Sequence, residues 1–177
     1  PLHPGRPLTL IKEENYFFKY SAFTDKLLAF YDAHPQFVVP ESRLGEVRNF
    51  VKQGLQDFSI SRLKSKMPWG IEVPGDPEQV IYVWFDALVN YLSTLGGEEG
   101  IKKYWYEGTP TQYCGKDNLR FQSAMWQAML MSADLPNTHQ VIINGFITGE
   151  GGVRMSKTLG NVVDPRDIVN SYGTDAL

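Results

Sequence analysis

Arg154 and Lys157 stand three residues apart inside GEGGVRMSKTLGN, residues 149–161, with the hydroxyls of Ser156 and Thr158 interleaved. Long cationic side chains on a glycine-flanked loop suit a polyanion whose charge grows during reaction, such as a nucleoside triphosphate losing pyrophosphate. Gly149, Gly151 and Gly152 allow a tight turn in front of them, and Gly160-Asn161 closes the loop behind. Charge alone leaves open a plain solvated loop with two surface cations. Asp117, in Gly115-Lys116-Asp117, offers a carboxylate that can accept two vicinal ribose hydroxyls or cap the helix after it. Trp84 and Tyr91 flank the small Ala87. Rings around a small residue make an apolar slot for a linear side chain, and a thioether favours aromatic neighbours; the other reading is a buried aromatic cluster. Arg62 ends the stretch DFSISR, where an arginine either stays solvated or grips a carboxylate bidentately.

These side chains need elements to hold them. Thr111 to Cys114 reads as a strand, 115–117 as a turn, 119–132 as a helix, and Gln140 to Ile143 as a continuous apolar strand. Strand, turn, helix, buried strand is the βαβ pattern of a parallel sheet covered on both faces. Ligands of such sheets bind beyond the carboxyl ends of the strands, which puts Gly115, Asp117, Gly145 and the 149–161 loop on one edge. A strand over 80–85 runs into a helix from Asp86 carrying Leu88, Leu92 and Leu95, with Gly96-Gly97 behind.

Upstream, Tyr20, Phe23, Leu27 and Tyr31 recur at helical spacing up to His34-Pro35, and Leu44, Val47 and Val51 form a second stripe ended by Gly54. Both stripes read as packing faces. Residues 57–62 alternate Phe58 and Ile60 and read as one strand; 68–76 reads as another, closed by a Pro-Gly-Asp turn. A short aromatic helix is expected over 102–107. Asp164-Pro165 reads as N-cap and first helical residue, with Tyr172-Gly173 at the helix end. Residues 1–7 are irregular, and their lone His3 reads as a surface residue. Thr174 reads as the N-cap of a helix that is then cut off, so the chain is expected to be a fragment of a longer protein.

The 177 residues suffice for one domain with a sizeable core. With 42% hydrophobic and 13% aromatic residues the chain is a folder, not a disordered segment. A net charge of −3 argues against nucleic-acid binding over the whole surface, so RNA contact is local or lies elsewhere. The single cysteine, Cys114, excludes an internal disulfide and a multi-cysteine zinc site, which fits a reducing cytosol. No apolar run is long enough to span a membrane.

Arg-Met-Ser-Lys-Thr resembles the Lys-Met-Ser-Lys-Ser loop of class I aminoacyl-tRNA synthetases. Together ENYFFKYS, PESR, DFSISR, WGIEVPGD, YVWFDALVNYL, GKDNLRF and RMSKT followed by LGNVVDP resemble methionyl-tRNA synthetases over nearly the whole chain, in the family's order and approximate spacing. YVWFDALVNY is the segment that separates methionyl from isoleucyl, valyl and leucyl relatives. The resemblance implies an α/β fold, the second half of a Rossmann-like parallel sheet with flanking helices. Residues 1–67 would form a helical and connective segment, and 68–177 the nucleotide-binding half with the RMSKT loop. It implies methionine activation by ATP with Mg2+ to methionyl-adenylate, then transfer to tRNA(Met), in the cytoplasm and with the remainder of the same polypeptide. The family's His-Ile-Gly-His motif, zinc-bearing insertion and anticodon-binding domain fall outside these residues, so no metal ligands are expected here.

By position, Arg154 and Lys157 would act on the phosphates, with Lys157 most engaged in the transition state. Gly115, Asp117, Ile147, Arg154, Ser156 and Lys157 would bind ATP. Arg62, Trp84, Ala87, Tyr91, Asn118, Gln122 and Trp126 would hold methionine. Gln122 stands where the family commonly has a histidine, and Asn118 where it has an apolar residue. Gln122 can donate a hydrogen bond but cannot titrate. The competing expectation, from another class, is a non-catalytic module that holds a nucleotide or a protein; a sister synthetase for another aliphatic amino acid is the third.

Overall fold

The computed structural model describes residues 12–176; residues 1–7 and His3 lie outside the described residues. Its strands are β1 (Phe17–Phe18), β2 (Val38–Val39), β3 (Phe58–Ser59), β4 (Ser61–Leu63), β5 (Glu72–Val73), β6 (Asp76–Ile81), β7 (Thr111–Gly115) and β8 (Gln140–Asn144). Its α-helices are α1 (Thr24–Ala33), α2 (Glu41–Lys52), α3 (Val83–Ser93), α4 (Glu98–Gly100), α5 (Trp126–Ser132) and α6 (Pro165–Tyr172).

The expected parallel unit is present. β7 and β8 run parallel with Thr111 beside Gln140 and Gly115 beside Asn144, joined by the helical stretch between them. A third parallel strand, β2, pairs with β8 through Val38 and Val39 and gives the order β2-β8-β7. The Phe37-Val38-Val39 run is its sequence signal, too short to read as a strand without its partner. α1 and α2 cover this sheet because their apolar residues recur on one face. Leu27, Tyr31, Leu44, Val47 and Val51 join Leu119, Ala124, Ala128, Val141 and Ile143 in one core, so the first third of the chain and the last share an interior. A second cluster, Leu88, Leu92, Trp105, Trp126, Met129 and Leu130, lies between α3 and α5.

Several boundaries differ from expectation, each for a local reason. DFSISR is not one strand: Phe58 and Ser59 pair with β1, whereas Ser61, Arg62 and Leu63 pair with β6, so the chain changes sheet at Ile60. The strand expected over 80–85 is instead β6, ending at Ile81, and α3 starts at Val83, since Tyr82 is extended (ψ 133°) and serves as the N-cap. Trp84 is therefore a first-turn residue of α3. The stretch 68–76 is not one strand: Glu72 and Val73 form β5, and Gly75 (φ +83°) turns the chain so that Asp76 already opens β6. Tyr20–Phe23 is a 3-10 turn ahead of α1.

The helices expected over 102–107 and 119–132 contain π-helical turns, at Ile101–Tyr106 and Phe121–Met125. Insertion of one residue per turn is a common device at functional sites. α6 begins as expected: Asp164 accepts from the Arg166 N–H at 2.9 Å, with Pro165 in the first turn. Residues Thr174–Ala176 form a 3-10 turn. None of the described helices is long and apolar enough to cross a membrane.

Candidate active site

Because β7 and β8 are parallel and in register, the segments leaving Gly115 and Asn144 emerge from the same edge of the sheet. Lys116-Asp117-Asn118 continues as a 3-10 turn from β7, and Gly145-Phe146-Ile147 continues from β8. The basic loop then folds back. Thr148 and Arg154 form an antiparallel bridge, with the Gly149 N–H donating to the Val153 carbonyl at 2.8 Å and Gly151 and Gly152 at φ +70° and +75° making the reversal. The far side is clipped by Asn161, whose Oδ1 accepts from the Ser156 N–H at 2.9 Å while its Nδ2 donates to the Arg154 carbonyl at 3.3 Å. The Ser156 hydroxyl accepts from the Leu159 N–H at 3.2 Å. Lys157 stands exposed on the intervening turn.

This folding brings Arg154 to the Asp117 carboxylate: its Nη2 lies 3.4 Å from Asp117 Oδ2. Both groups are more than half exposed, so the pair contributes at most about 1 kcal/mol and leaves the loop free to release it. Asp117 lies inside the 3-10 turn Lys116–Asn118, and its carboxylate faces Arg154. Gly115 leaves this carboxylate its present position, since a Cβ there would come within 2.8 Å of Asp117 Oδ1 and the side chain would have to shift. Ile147 is 76% exposed at the same edge.

Phe146 is a residue that sequence reasoning missed. The Arg154 guanidinium sits 3.8 Å and the Lys116 ammonium 4.4 Å from its ring centroid. The ring thus holds two cations near the carboxylate by attraction to its π-face. Its only sequence signal is an aromatic residue directly after a buried strand.

The aromatic side chains form a second group. Tyr91 on α3 lies 5.8 Å from Trp126 with the rings tilted at 48°, and Trp126 meets Trp105 edge-to-face at 6.0 Å, a favoured arrangement. The Gln122 amide donates to the Tyr91 hydroxyl at 2.9 Å. Trp84 stacks on Phe121 at 5.5 Å and is 50% exposed, with Ala87 one turn along the helix. Phe121, Gln122 and Trp126 come from the π-helical turn and the residue after it, so that turn supplies three members of the group. Asn118 lies in the 3-10 turn just before, next to Asp117.

Gln122 Oε1 and Trp126 Nε1 are buried without a hydrogen-bond partner among the described residues. Arg62 stays with its own sheet: it donates to Ser59 Oγ at 2.7 Å and the Ser61 carbonyl at 2.6 Å and stacks 4.1 Å over Tyr82. Tyr82, the N-cap of α3, is its link to the aromatic group.

Burial, reinforced by the Asp117 charge, pushes the Cys114 thiol up to about 11. Its proton is held through the neutral range, so it is no nucleophile here. Among the described residues no group of three or more His, Cys, Asp or Glu side chains is gathered as a metal ion would need.

Residues 5–177 match the family of class I tRNA synthetases (M). The chain is 49% identical, over 98% of its length, to the methionine–tRNA ligase of Caldanaerobacter subterraneus subsp. tengcongensis, of which it covers 27%. It is 47% identical, over its whole length, to that of Synechocystis sp., of which it covers 34%. Among solved structures, Mycobacterium tuberculosis methionyl-tRNA synthetase bound by methionyl-adenylate superposes with a TM-score of 0.83 at 42% identity, over 98% of this chain and 34% of that one. The chain therefore spans about a quarter to a third of the length of these relatives.

Proposed function

Since the chain belongs to the class I tRNA synthetases (M), we propose that it is the part of a methionine–tRNA ligase that carries the mobile phosphate loop, the ribose carboxylate and the methionine side-chain pocket. In the first step the methionine carboxylate attacks the α-phosphorus of ATP. The bond from that phosphorus to the bridging oxygen breaks, and pyrophosphate leaves with its electron pair. No proton changes hands. What the protein supplies is orientation and positive charge where negative charge develops.

In this reading Arg154 and Lys157 act on the leaving phosphates, with Ser156 beside them. Asp117 and Gly115 hold the ribose, and Ile147 meets the base through its backbone. Trp84, Ala87, Tyr91, Asn118, Gln122 and Trp126 surround the methionine side chain, and Arg62 lies towards its charged end. Mg2+ accompanies ATP as part of the substrate. The aminoacyl group then passes to tRNA(Met), with the remainder of the polypeptide supplying the tRNA contacts and the other phosphate motif, in the cytoplasm.

The observation that carries the proposal is the 3.4 Å approach of Arg154 to Asp117, which joins a loop suited to phosphates to a carboxylate suited to a sugar, with the aromatic group around Trp84 and Tyr91 close by in the chain. The test is isotope exchange between pyrophosphate and ATP by the full-length polypeptide. Exchange should require methionine and fall roughly 10²–10³-fold in kcat on Lys157→Ala, the cost typical of one lost transition-state donor. Exchange driven by isoleucine or valine, or none with any amino acid, would reject it.

A further inference from the structure

We propose that Gln127 is a positioning residue for the methionine pocket, working with Tyr31 to brace the π-helical turn that aims Gln122 and Trp126; this rests on the functional reading above. Within Phe121–Met125 the Trp126 N–H donates to the Phe121 carbonyl, five residues back, where an α-turn would have used the carbonyl of Gln122. The bypassed Gln122 carbonyl accepts instead from the side chain of Gln127, whose Nε2 lies 2.8 Å away. The next carbonyl, of Ser123, accepts from the Tyr31 hydroxyl at 2.6 Å, across 92 residues of sequence.

Gln127 is wholly buried and its amide is spoken for at every atom. Nε2 also donates to Thr138 Oγ1 at 3.1 Å, and Oε1 accepts from the Thr138 N–H at 3.1 Å and from Asn137 Nδ2 at 3.0 Å. The Thr138 hydroxyl donates onward to Gln112 Oε1 at 3.1 Å on β7. A fully paired buried amide of this kind fixes one geometry, because any shift of the turn leaves a donor or acceptor stranded. The geometry it fixes puts the Gln122 side chain against Tyr91 and the Trp126 ring between Tyr91 and Trp105. A plain α-turn would rotate Trp126 and the residues after it by about 100° relative to those before, as one residue's share of a helical turn. Neither Gln127 nor Tyr31 touches the proposed phosphate side.

The test uses the full-length polypeptide and the exchange reaction, with methionine and ATP varied separately. Tyr31→Phe removes one hydroxyl and no volume; Gln127→Met removes the amide and keeps the length. Each is expected to raise KM for methionine about tenfold, with kcat and KM for ATP within twofold of the wild type. Should Gln127→Met fail to fold, Tyr31→Phe decides alone. A methionine KM within twofold of the wild type overturns the inference, as does a loss confined to kcat, which is what a merely smaller folded fraction gives. A wild type that shows no methionine-dependent exchange overturns the functional reading and this inference with it; ordinary exchange with unmoved variants overturns the inference alone.

Discussion

Arg154 reaches Asp117 at 3.4 Å while its guanidinium lies 3.8 Å over the Phe146 ring, so one cation ties three segments of the sheet edge together. In the proposed reaction the same carboxylate faces a ribose, and the same cation a phosphate. Arg154 must therefore leave or share Asp117 when nucleotide enters, and an exposed pair of this kind is cheap to open.

Asp117→Asn tests that exchange of partners. It retains a hydrogen-bonding side chain but loses the charge that favours two hydroxyl donors. The expected result is a rise of about tenfold in KM for ATP in pyrophosphate exchange, with the thermal midpoint nearly unchanged because the lost pair is exposed. A large fall in the midpoint would mean that Asp117 is structural.

Gly115→Ala should act through the same carboxylate. Its new Cβ meets Asp117 Oδ1 at 2.8 Å, inside the distance real Cβ atoms keep, while the backbone at Gly115 is ordinary extended chain (φ −71°). The protein should fold, and its KM for ATP should rise with that of Asp117→Asn, with methionine KM within twofold. Equal KM values for Gly115→Ala and wild type would show that Asp117 has room to move.

If Gln122 lines the methionine site as proposed, it brings no titrating group there, so KM for methionine should not vary between about pH 5.5 and 7.5 on its account. Gln122→His introduces an imidazole with an ordinary pKa near 6.5, and a pH dependence centred in that range should appear. Kinetics across pH for the two proteins check this; identical profiles would place residue 122 away from the amino acid.

Cys114 sits at the carboxyl end of β7 with its thiol raised from 9.0 to about 11 by burial and by Asp117. The thiolate is the reactive form, so alkylation of the folded protein at pH 8 should run about a hundredfold slower than of the denatured chain. The sign with pH follows: the folded protein keeps its proton longer, so this group favours the folded state below about pH 9 and stops doing so as pH climbs towards 11. Mass spectrometry of labelled protein reads the rate.

The parts of this arrangement that local patterning dictates were legible in the sequence. Leu44, Val47 and Val51 announce α2, Asp164-Pro165 announces α6, and the strand-turn-helix-strand order over 111–143 announces the parallel pair. What the sequence hid depends on partners distant along the chain. Ile60 looks like the middle of one strand, but β1 and β6 claim its two sides separately. Trp84 looks like strand because Val-Trp-Phe follows apolar residues, yet the turn at Tyr82 hands it to a helix. The π-helical turn at Phe121–Met125 has no periodicity of its own to betray it; Tyr31 and Gln127, which receive its carbonyls, show it only after folding.

The common interior of α1 and α2 with Leu119, Ala124, Ala128, Val141 and Ile143 has a practical outcome. Splitting the gene between Met67 and Pro68 yields two polypeptides that each expose half of an unfinished seam. Mixed together they supply complementary faces, and recovery of function on mixing would report whether that seam has re-formed.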